Sequence, residues 1–454
     1  MAEDTITLAL ELLESRKYSE IRQILTEMEP IDIALLCEEL PQEKMPVVYR
    51  ILPKELAAET FVELDAEIQE YLISSFSDRE LHEVLKELYL DDTVDIIEEM
   101  PASVVRRIIN TSTPENRMVI NQLLQYPEDS AGSIMTTEYV RLKKGMTVQD
   151  AFARIRATAV DKETIYNCYV TDENRVLLGV ITVKDLLLNP YEAQIGDIMD
   201  DAVIYATTDE DKESVADKFQ KYDLTALPVT DREMRLVGIV TVDDAIDVIT
   251  EEATEDMEKM AAITPSDKPY LKTGAFSMFL NRIPWLLLLM VSATFTGSII
   301  GSFEASLAVV PMLTAFIPML MGSGGNAGSQ ASVAVIRGIA LNEIEIKDFF
   351  RVVWKEIRVS VLSAVALGVA TYVKIMLIDN LLMGSGVTPM VAFVVCLTLA
   401  IVIIVAKLVG CMLPLIAKCL RLDPAVMASP FITTIVDAIS LLVYFAIASS
   451  VLGL

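Results

Sequence analysis

Val170-Thr-Asp-Glu-Asn-Arg-Val-Leu-Leu-Gly179-Val-Ile-Thr182-Val-Lys-Asp185 recurs as Val229-Thr-Asp-Arg-Glu-Met-Arg-Leu-Val-Gly238-Ile-Val-Thr241-Val-Asp-Asp244, offset by 59 residues with no gap. Each copy reads as strand, turn, strand and helix start. An acid falls in the first turn of the following helix, where it favours the positive end of the helix dipole. Upstream, Ser133-Ile-Met135-Thr136 and Asp197-Ile-Met199-Asp200 open the two copies. Self-similarity at a fixed offset predicts two like modules packed on each other.

The pair resembles tandem cystathionine-β-synthase (CBS) domains, regulatory modules that sense ligands and do no chemistry, here about 133–190 and 197–250 within 131–250. The second copy runs on into Asp244–Ile263, which is continuous helix by composition. Asp244, Asp247, Glu251, Glu255 and Glu258 follow at spacings of 3 and 4, which sets them on one face, with Glu252 and Asp256 flanking. Like charges so spaced each destabilise a helix by roughly 0.2–0.5 kcal/mol. Such a face is either solvated or built to hold a divalent cation against another surface. Because the stretch (244–275) leads straight into apolar sequence, it is the natural mechanical link between a sensor and a membrane domain.

Residues 1–130 show apolar positions at helical spacing in short bursts, broken at Pro30, Pro41, Pro53, Pro101 and Pro114. Proline at a first turn starts a helix without wasting a backbone donor. A bundle or superhelix of short helices is expected. Leu90-Asp91-Asp92-Thr93-Val94-Asp95 sets three acids within about one turn. Helix N-capping is the simpler account of them.

Charge divides the chain. Residues 271–454 hold 8 acids and 11 bases, a net of +3, whereas residues 1–270 hold 57 acids and 26 bases, a net of −31. So acidic a body repels nucleic acid and anionic lipid and attracts divalent cations, although most of its charges are simply solvated. The start, Met1-Ala2-Glu3-Asp4, lacks the basic-then-apolar pattern of a signal peptide. Cys37, Cys168, Cys396, Cys411 and Cys419 are odd in number and lack CxxC spacing, as befits reduced thiols. His82 is the single histidine, which excludes HExxH metalloproteases and Ser-His-Asp triads.

Residues 276–454 read as a membrane domain of five spans: about Ile283–Ser302, Leu307–Val335, Val359–Leu382, Val387–Ile416 and Ala425–Leu454. Basic residues collect on alternate flanks: Lys268, Lys272 and Arg282; Arg337, Lys347, Arg351, Lys355 and Arg358; Lys418 and Arg421. The positive-inside rule then places the N-terminal body in the cytoplasm and the C-terminus outside. Lys374 and Lys407 fall within spans and are expected to snorkel or to line an aqueous path. Pro311 and Pro318 interrupt the second span, and Met321-Gly-Ser-Gly-Gly325-Asn326-Ala-Gly328-Ser-Gln330 follows. Gly324 and Gly328 allow close helix approach, and in lipid the Asn and Gln amides would be unsatisfied, which suits a water-filled path. The last span carries one charge, Asp437, about 18 Å along the helix from Ala425 and so near the midplane. A carboxylate there costs several kcal/mol, roughly, unless a cation, water or partner meets it. Protonation between helices, or pairing with Lys374 or Lys407, is the plainer alternative.

The Gly325–Gln330 stretch, the CBS pair and Asp437 in Ile432-Thr433-Thr434-Ile435-Val436-Asp437 together resemble the MgtE magnesium channel/transporter family along the whole chain. The resemblance implies a multi-domain membrane protein: an all-α superhelical N domain, α/β tandem CBS domains, a long connecting helix and a five-helix transmembrane domain. It implies a homodimer in the prokaryotic plasma (inner) membrane, with its pore on the two-fold axis between second and fifth spans. Asp437 would hold hydrated Mg²⁺, Asn326 would line the cytoplasmic half, and Gly325, Gly328, Gln330 and Thr433 would belong to the same path. Cytosolic Mg²⁺ would close the pore by binding Glu59, Asp91, Asp95, Glu213, Asp223, Asp244, Asp247, Glu252, Glu255, Asp256 and Asp423. Some members bind ATP between their CBS domains. Asp185 could meet a ribose here, but Asn167 and Leu224 stand where an adenine needs aromatic faces. One Asp cannot balance a divalent ion, whereas a two-fold axis supplies two. Binding and release need no covalent chemistry, so an enzyme is the wrong class. A proton- or sodium-coupled divalent-cation exchanger and a membrane-anchored CBS sensor remain as alternatives.

Overall fold

The computed structural model describes residues 8–9, 11–159, 162–266, 270–427 and 429–453. Met1-Ala2-Glu3-Asp4, Lys268 and the final Leu454 of the last expected span lie outside them. The chain divides into two compact units, Met1–Ile249 and Thr250–Leu454.

The first unit opens with helices of seven to ten residues, from Tyr18–Thr26 to Pro114–Leu123. The prolines act where their missing N–H does no harm. Pro30 and Pro114 lie in first turns, and Pro53 and Pro101 are N-caps. One apolar face of each short helix is buried, as with Ile21, Leu25, Phe61, Leu72, Leu81 and Ile108. The two repeats follow as two three-stranded sheets. In the first, β1 (Tyr139–Lys143) is parallel to β2 (Thr164–Thr171), and β2 is antiparallel to β3 (Leu177–Thr182). β4 (Ala206–Thr207), β5 (Ala226–Thr230) and β6 (Leu236–Thr241) repeat that pattern. The helix starts are equivalent as well. Asp185 Oδ2 accepts from Thr182 Oγ1 at 2.5 Å, and Asp244 Oδ2 accepts from Thr241 Oγ1 at 2.6 Å.

The openings of the repeats change places. Thr136 of the first opening exchanges N–H···O bonds of 2.8 and 2.9 Å with Ile239 on β6, while Asp200 of the second does the same with Val180 on β3 at 2.9 Å. Met135 and Met199 lie so close to Gly238 and Gly179 that a Cβ on either glycine would fall 2.6–2.7 Å from the sulfur. Each glycine therefore makes room for the opening of the other copy.

Among the described residues, four helices of the second unit are long and apolar enough to cross a membrane: Ala275–Ser302, Ile346–Leu382, Pro389–Cys419 and Ala425–Leu452. The second expected span, Leu307–Val335, is not among them. Its Gly, Ser, Asn and Gln leave Ile317–Ala340 a helix of 24 residues with a far more polar content. That helix also begins later than the Leu307 expected from sequence. Pro311 starts a 3₁₀ segment ending at Phe316, and Pro318 sits in the first turn of the main helix. Neither proline therefore interrupts the helix, because a first turn needs no donor there. Of the two intramembrane lysines, Lys374 Nζ pairs with Asp379 Oδ2 at 2.9 Å, and Lys407 is buried, 7% exposed.

Candidate functional site

The last helix, Ser429–Leu452, packs on the glycine-rich helix Ile317–Ala340, and small residues set how closely. A Cβ on Gly325 would stand 3.0 Å from Thr433 Cγ2, and one on Gly328 would stand 2.8 Å from Ile432 Cγ2. A Cβ on Gly324 would meet Val402 Cγ1 at 2.7 Å and Ser440 Oγ at 2.9 Å, and one on Gly410 would overlap the carbonyl of Gly328. Gly325 and Gly328, expected along the path, are thus buried in helix packing, which is the other reading their spacing allowed. Their polar neighbours stay outside that contact. Asn326 and Gln330 are exposed one turn apart on the surface of the single chain. Among the described residues Asn326 makes no hydrogen bond.

Asp437 lies one turn beyond Thr433 and is half-buried. Among the described residues it has no hydrogen-bond or ion-pair partner, so pairing with Lys374 or Lys407 is not what holds it. Thr433 and Thr434 both donate their hydroxyls to the Pro430 carbonyl, at 2.9 and 3.0 Å, which satisfies them without Asp437. The carboxylate thus stands alone, on a helix whose Ile432, Thr433, Val436 and Ser440 meet the glycines of Ile317–Ala340.

A second group of acids gathers inside the first unit. Asp91, Asp92 and Asp95 lie on the helix Leu90–Glu99, whose N-cap is Tyr89, so they do not cap it. They face Asp243 and Asp244 at the start of the helix Val242–Met260, and Glu163 just before β2. Burial first, and then the neighbouring negative charges, push Asp95 and Glu163 up to about 8. The same causes bring Asp92 and Asp244 to about 7, with hydrogen bonds from Thr241 restraining the latter. Asp91 Oδ1 and Glu163 Oε2 are buried without a hydrogen-bond partner. Among the described residues no three His, Cys, Asp or Glu side chains already converge as a metal cage. Even so, hard carboxylate oxygens with orphaned, buried lone pairs fit a hard divalent cation, and Asp91, Asp92, Asp95, Glu163 and Asp244 would hold it.

These shifts carry a pH dependence. Carboxylates whose folded pKa is raised bind more protons in the compact state, so that state loses stability as pH rises. The loss begins above the ordinary carboxylate range and is complete once pH passes about 8, the value for Asp95 and Glu163. In chelator, limited proteolysis of the full chain should therefore show a looser first unit at pH 9 than at pH 6. Added Mg²⁺ should remove most of the difference, and equal cleavage at both pH values in chelator would refute the coupling.

A third set lies in the second unit. Lys259 Nζ reaches Glu255 Oε1 at 2.6 Å and Asp423 Oδ2 at 2.7 Å. Asp423 Oδ1 accepts the Ala425 N–H at 2.8 Å, which fixes it at the entry to the last helix. Ser332 of the glycine-rich helix donates to the Met427 carbonyl at 3.2 Å, in the turn that follows.

The remaining expected ligands are placed less tightly. Glu59 is exposed on Lys54–Val62, and Glu213 is exposed with its N–H on Asp211 Oδ1 at 2.9 Å. Asp223 has a local task, ending the helix Lys212–Tyr222 in the left-handed region at φ 52°, which Asp tolerates. Asp247 is exposed and Glu252 half-buried on the acidic helix. Sequence reasoning passed over Asp92, Glu138, Glu163 and Asp243 as site residues. Asp92 and Asp243 could have been found beside Asp91 and Asp244, but nothing local marks Glu163. At the expected nucleotide position, Asp185 Oδ2 is engaged by Thr182, and Asn167 Nδ2 donates to Thr225 Oγ1 at 2.8 Å.

Comparison with known proteins covers the segments that carry these sets. Residues 28–129 match the MgtE intracellular N domain, 131–191 and 195–251 match CBS domains, and 317–447 match the MgtE divalent cation transporter model. The magnesium transporter MgtE of Thermus thermophilus is 36% identical over 442 residues, 96% of each chain. This chain belongs to the MgtE family. MgtE of Bacillus subtilis is 33% identical over 440 residues, covering 97% of this chain and 95% of its own. Two solved structures match the soluble part. The cytosolic domain of the Mg²⁺ channel MgtE in complex with ATP is 39% identical, with TM-score 0.51, and covers 54% of this chain and 99% of its own. The soluble part of a magnesium transporter is 32% identical, with TM-score 0.52, and covers 56% and 100%. Membership in MgtE makes the chain a membrane transporter for Mg²⁺ and not an enzyme.

Proposed function

We propose that the chain is a Mg²⁺ channel that admits Mg²⁺ to the cytoplasm and is closed by cytosolic Mg²⁺. The observation that carries this reading is Asp437, an unpartnered carboxylate in an apolar helix that packs on the helix carrying the exposed amides of Asn326 and Gln330. In a homodimer two such carboxylates meet on the axis and match the charge of one hydrated Mg²⁺. The glycine-rich helix is then the fifth span (second in chain order), its amides facing water across the axis and not lipid. The N domain (1–130), CBS pair (131–250) and connecting stretch (244–275), helical to Met260, lie in the cytoplasm, and the C-terminus of the membrane domain (276–454) lies outside.

Closure rests on the acid sets. At low Mg²⁺ the carboxylates around Asp91 and Asp244, and those of Asp256 and Asp423, repel one another. Mg²⁺ supplies the missing positive charge and ties the acidic helix to the elements on either side. Asp423 and Met427 pass that restraint to the last helix, which carries Asp437. The cytosolic domain described in complex with ATP supports a nucleotide site in this chain, and we assign it to the CBS pair, with Asp185 at the ribose. The capping role of Asp185 and the amide at Asn167 weigh against tight adenine binding.

Purified protein in liposomes tests the function. Mg²⁺ uptake above about 10³ ions per second, independent of any proton or sodium gradient, is expected of a channel. Slower uptake that follows such a gradient would make it an exchanger, and no uptake at all would reduce it to an anchored sensor.

A further inference from the structure

The carboxylates Glu255, Asp256 and Asp423 already face a cation that belongs to the chain. Lys259 Nζ lies 2.6 Å from Glu255 and 2.7 Å from Asp423, and its side chain is only 24% exposed. Asp256 lies close enough to Asp423 for the two carboxylates to repel each other. Three carboxylates thus face one ammonium, which leaves the set short of positive charge and open to exchange for a cation of higher charge. Glu258 is turned elsewhere, accepting the Ser266 N–H at 3.0 Å. We propose that Lys259 is a tethered competitor for this site: it occupies Glu255 and Asp423 at low Mg²⁺, and Mg²⁺ binds there by displacing it. The inference rests on the Mg²⁺-sensing reading above.

The chemistry favours exchange over sharing. An ammonium held between two carboxylate oxygens stands where a cation's water shell would have to sit, and two cations that close repel each other. Mg²⁺ keeps several waters and reaches carboxylates through them, so it needs the room that Lys259 fills. The four-carbon stem of lysine lets the ammonium swing out to water at small cost. The lysine therefore sets the Mg²⁺ concentration at which this end of the acidic helix responds, and it keeps the carboxylates from splaying apart when Mg²⁺ is scarce.

The test is Mg²⁺-dependent protection of the full-length protein from limited proteolysis, titrated in detergent. Lys259→Met keeps the apolar stem and removes the charge. Its protection midpoint should fall roughly three- to tenfold below wild type, the scale of one or two partly exposed ion pairs. An unchanged or higher midpoint overturns the proposal and leaves Lys259 a structural link. Should Lys259→Met fail to fold, Lys259→Arg decides. A guanidinium grips the same carboxylates through paired N–H groups and must raise the midpoint, and a lowered or unchanged one overturns the proposal. If wild type shows no Mg²⁺-dependent protection, the sensing reading itself falls. A wild-type transition that Lys259→Met leaves in place sinks only the lysine inference.

Discussion

Asp437→Ala is expected to abolish Mg²⁺-selective flux in liposomes while leaving the protein folded. The carboxylate makes no hydrogen bond or ion pair among the described residues, so its removal breaks nothing in the helix packing. What it does remove is the pair of charges that a dimer offers a hydrated divalent ion near the midplane. Taking that charge out of a low-dielectric site leaves an ion with no compensation for its lost solvation. Loss of uptake, or leakage of other cations at comparable rates, is the expected reading. Asn326→Ala should do less, since an uncharged amide only tunes a hydrated path. Undiminished Mg²⁺ selectivity in the Asp437 variant would remove it from the ion path altogether.

Neutralising Asp244, Asp247, Glu252, Glu255 and Asp256 together should leave the channel conducting at high cytosolic Mg²⁺, where wild type is silent. Swinging a two-state gate from mostly open to mostly closed takes about 5.5 kcal/mol of differential binding. Several weak sites acting together can supply that, and amides in their place cannot bridge the elements they join. A competing effect has the opposite sign. The same change removes repulsion, including the burial and like-charge strain that lift Asp244 to about 7, and could compact the body without metal. Loss of the bridges should dominate, because the buried oxygens of Asp91 and Glu163 would still lack a partner. Patch recording with stepped cytosolic Mg²⁺ separates the outcomes. Closure over the wild-type Mg²⁺ range would show these acids to be a solvated face.

Much of this molecule was legible in order along the chain. The gapless repeat specified two like modules, and both formed the same three-stranded sheet with the same Thr–Asp helix start. Prolines at first turns marked the short N-terminal helices, because a missing donor is harmless only there. Uninterrupted apolar runs marked four helices able to cross a membrane, and one acid in the last of them marked itself. These signals are local: periodicity, turn chemistry and composition act within a few residues, so they can be read without a fold.

What joins distant parts could not be read that way. That Met135 fills the space at Gly238, and Met199 the space at Gly179, follows from two modules trading their opening segments. No local pattern records such a trade. Glu163 enters the acid set of Asp91 and Asp244 only because the helix Leu90–Glu99 and the approach to β2 meet. Lys374 finds Asp379 because the helix end winds into wider turns. The acidic helix is the clearest case. Its one-sided carboxylates were evident from their spacing, but spacing is indifferent to which cation faces them. The tertiary structure set Asp423 beside the same turn and closed Lys259 over both, because a partly buried pair of carboxylates takes the nearest positive charge within reach.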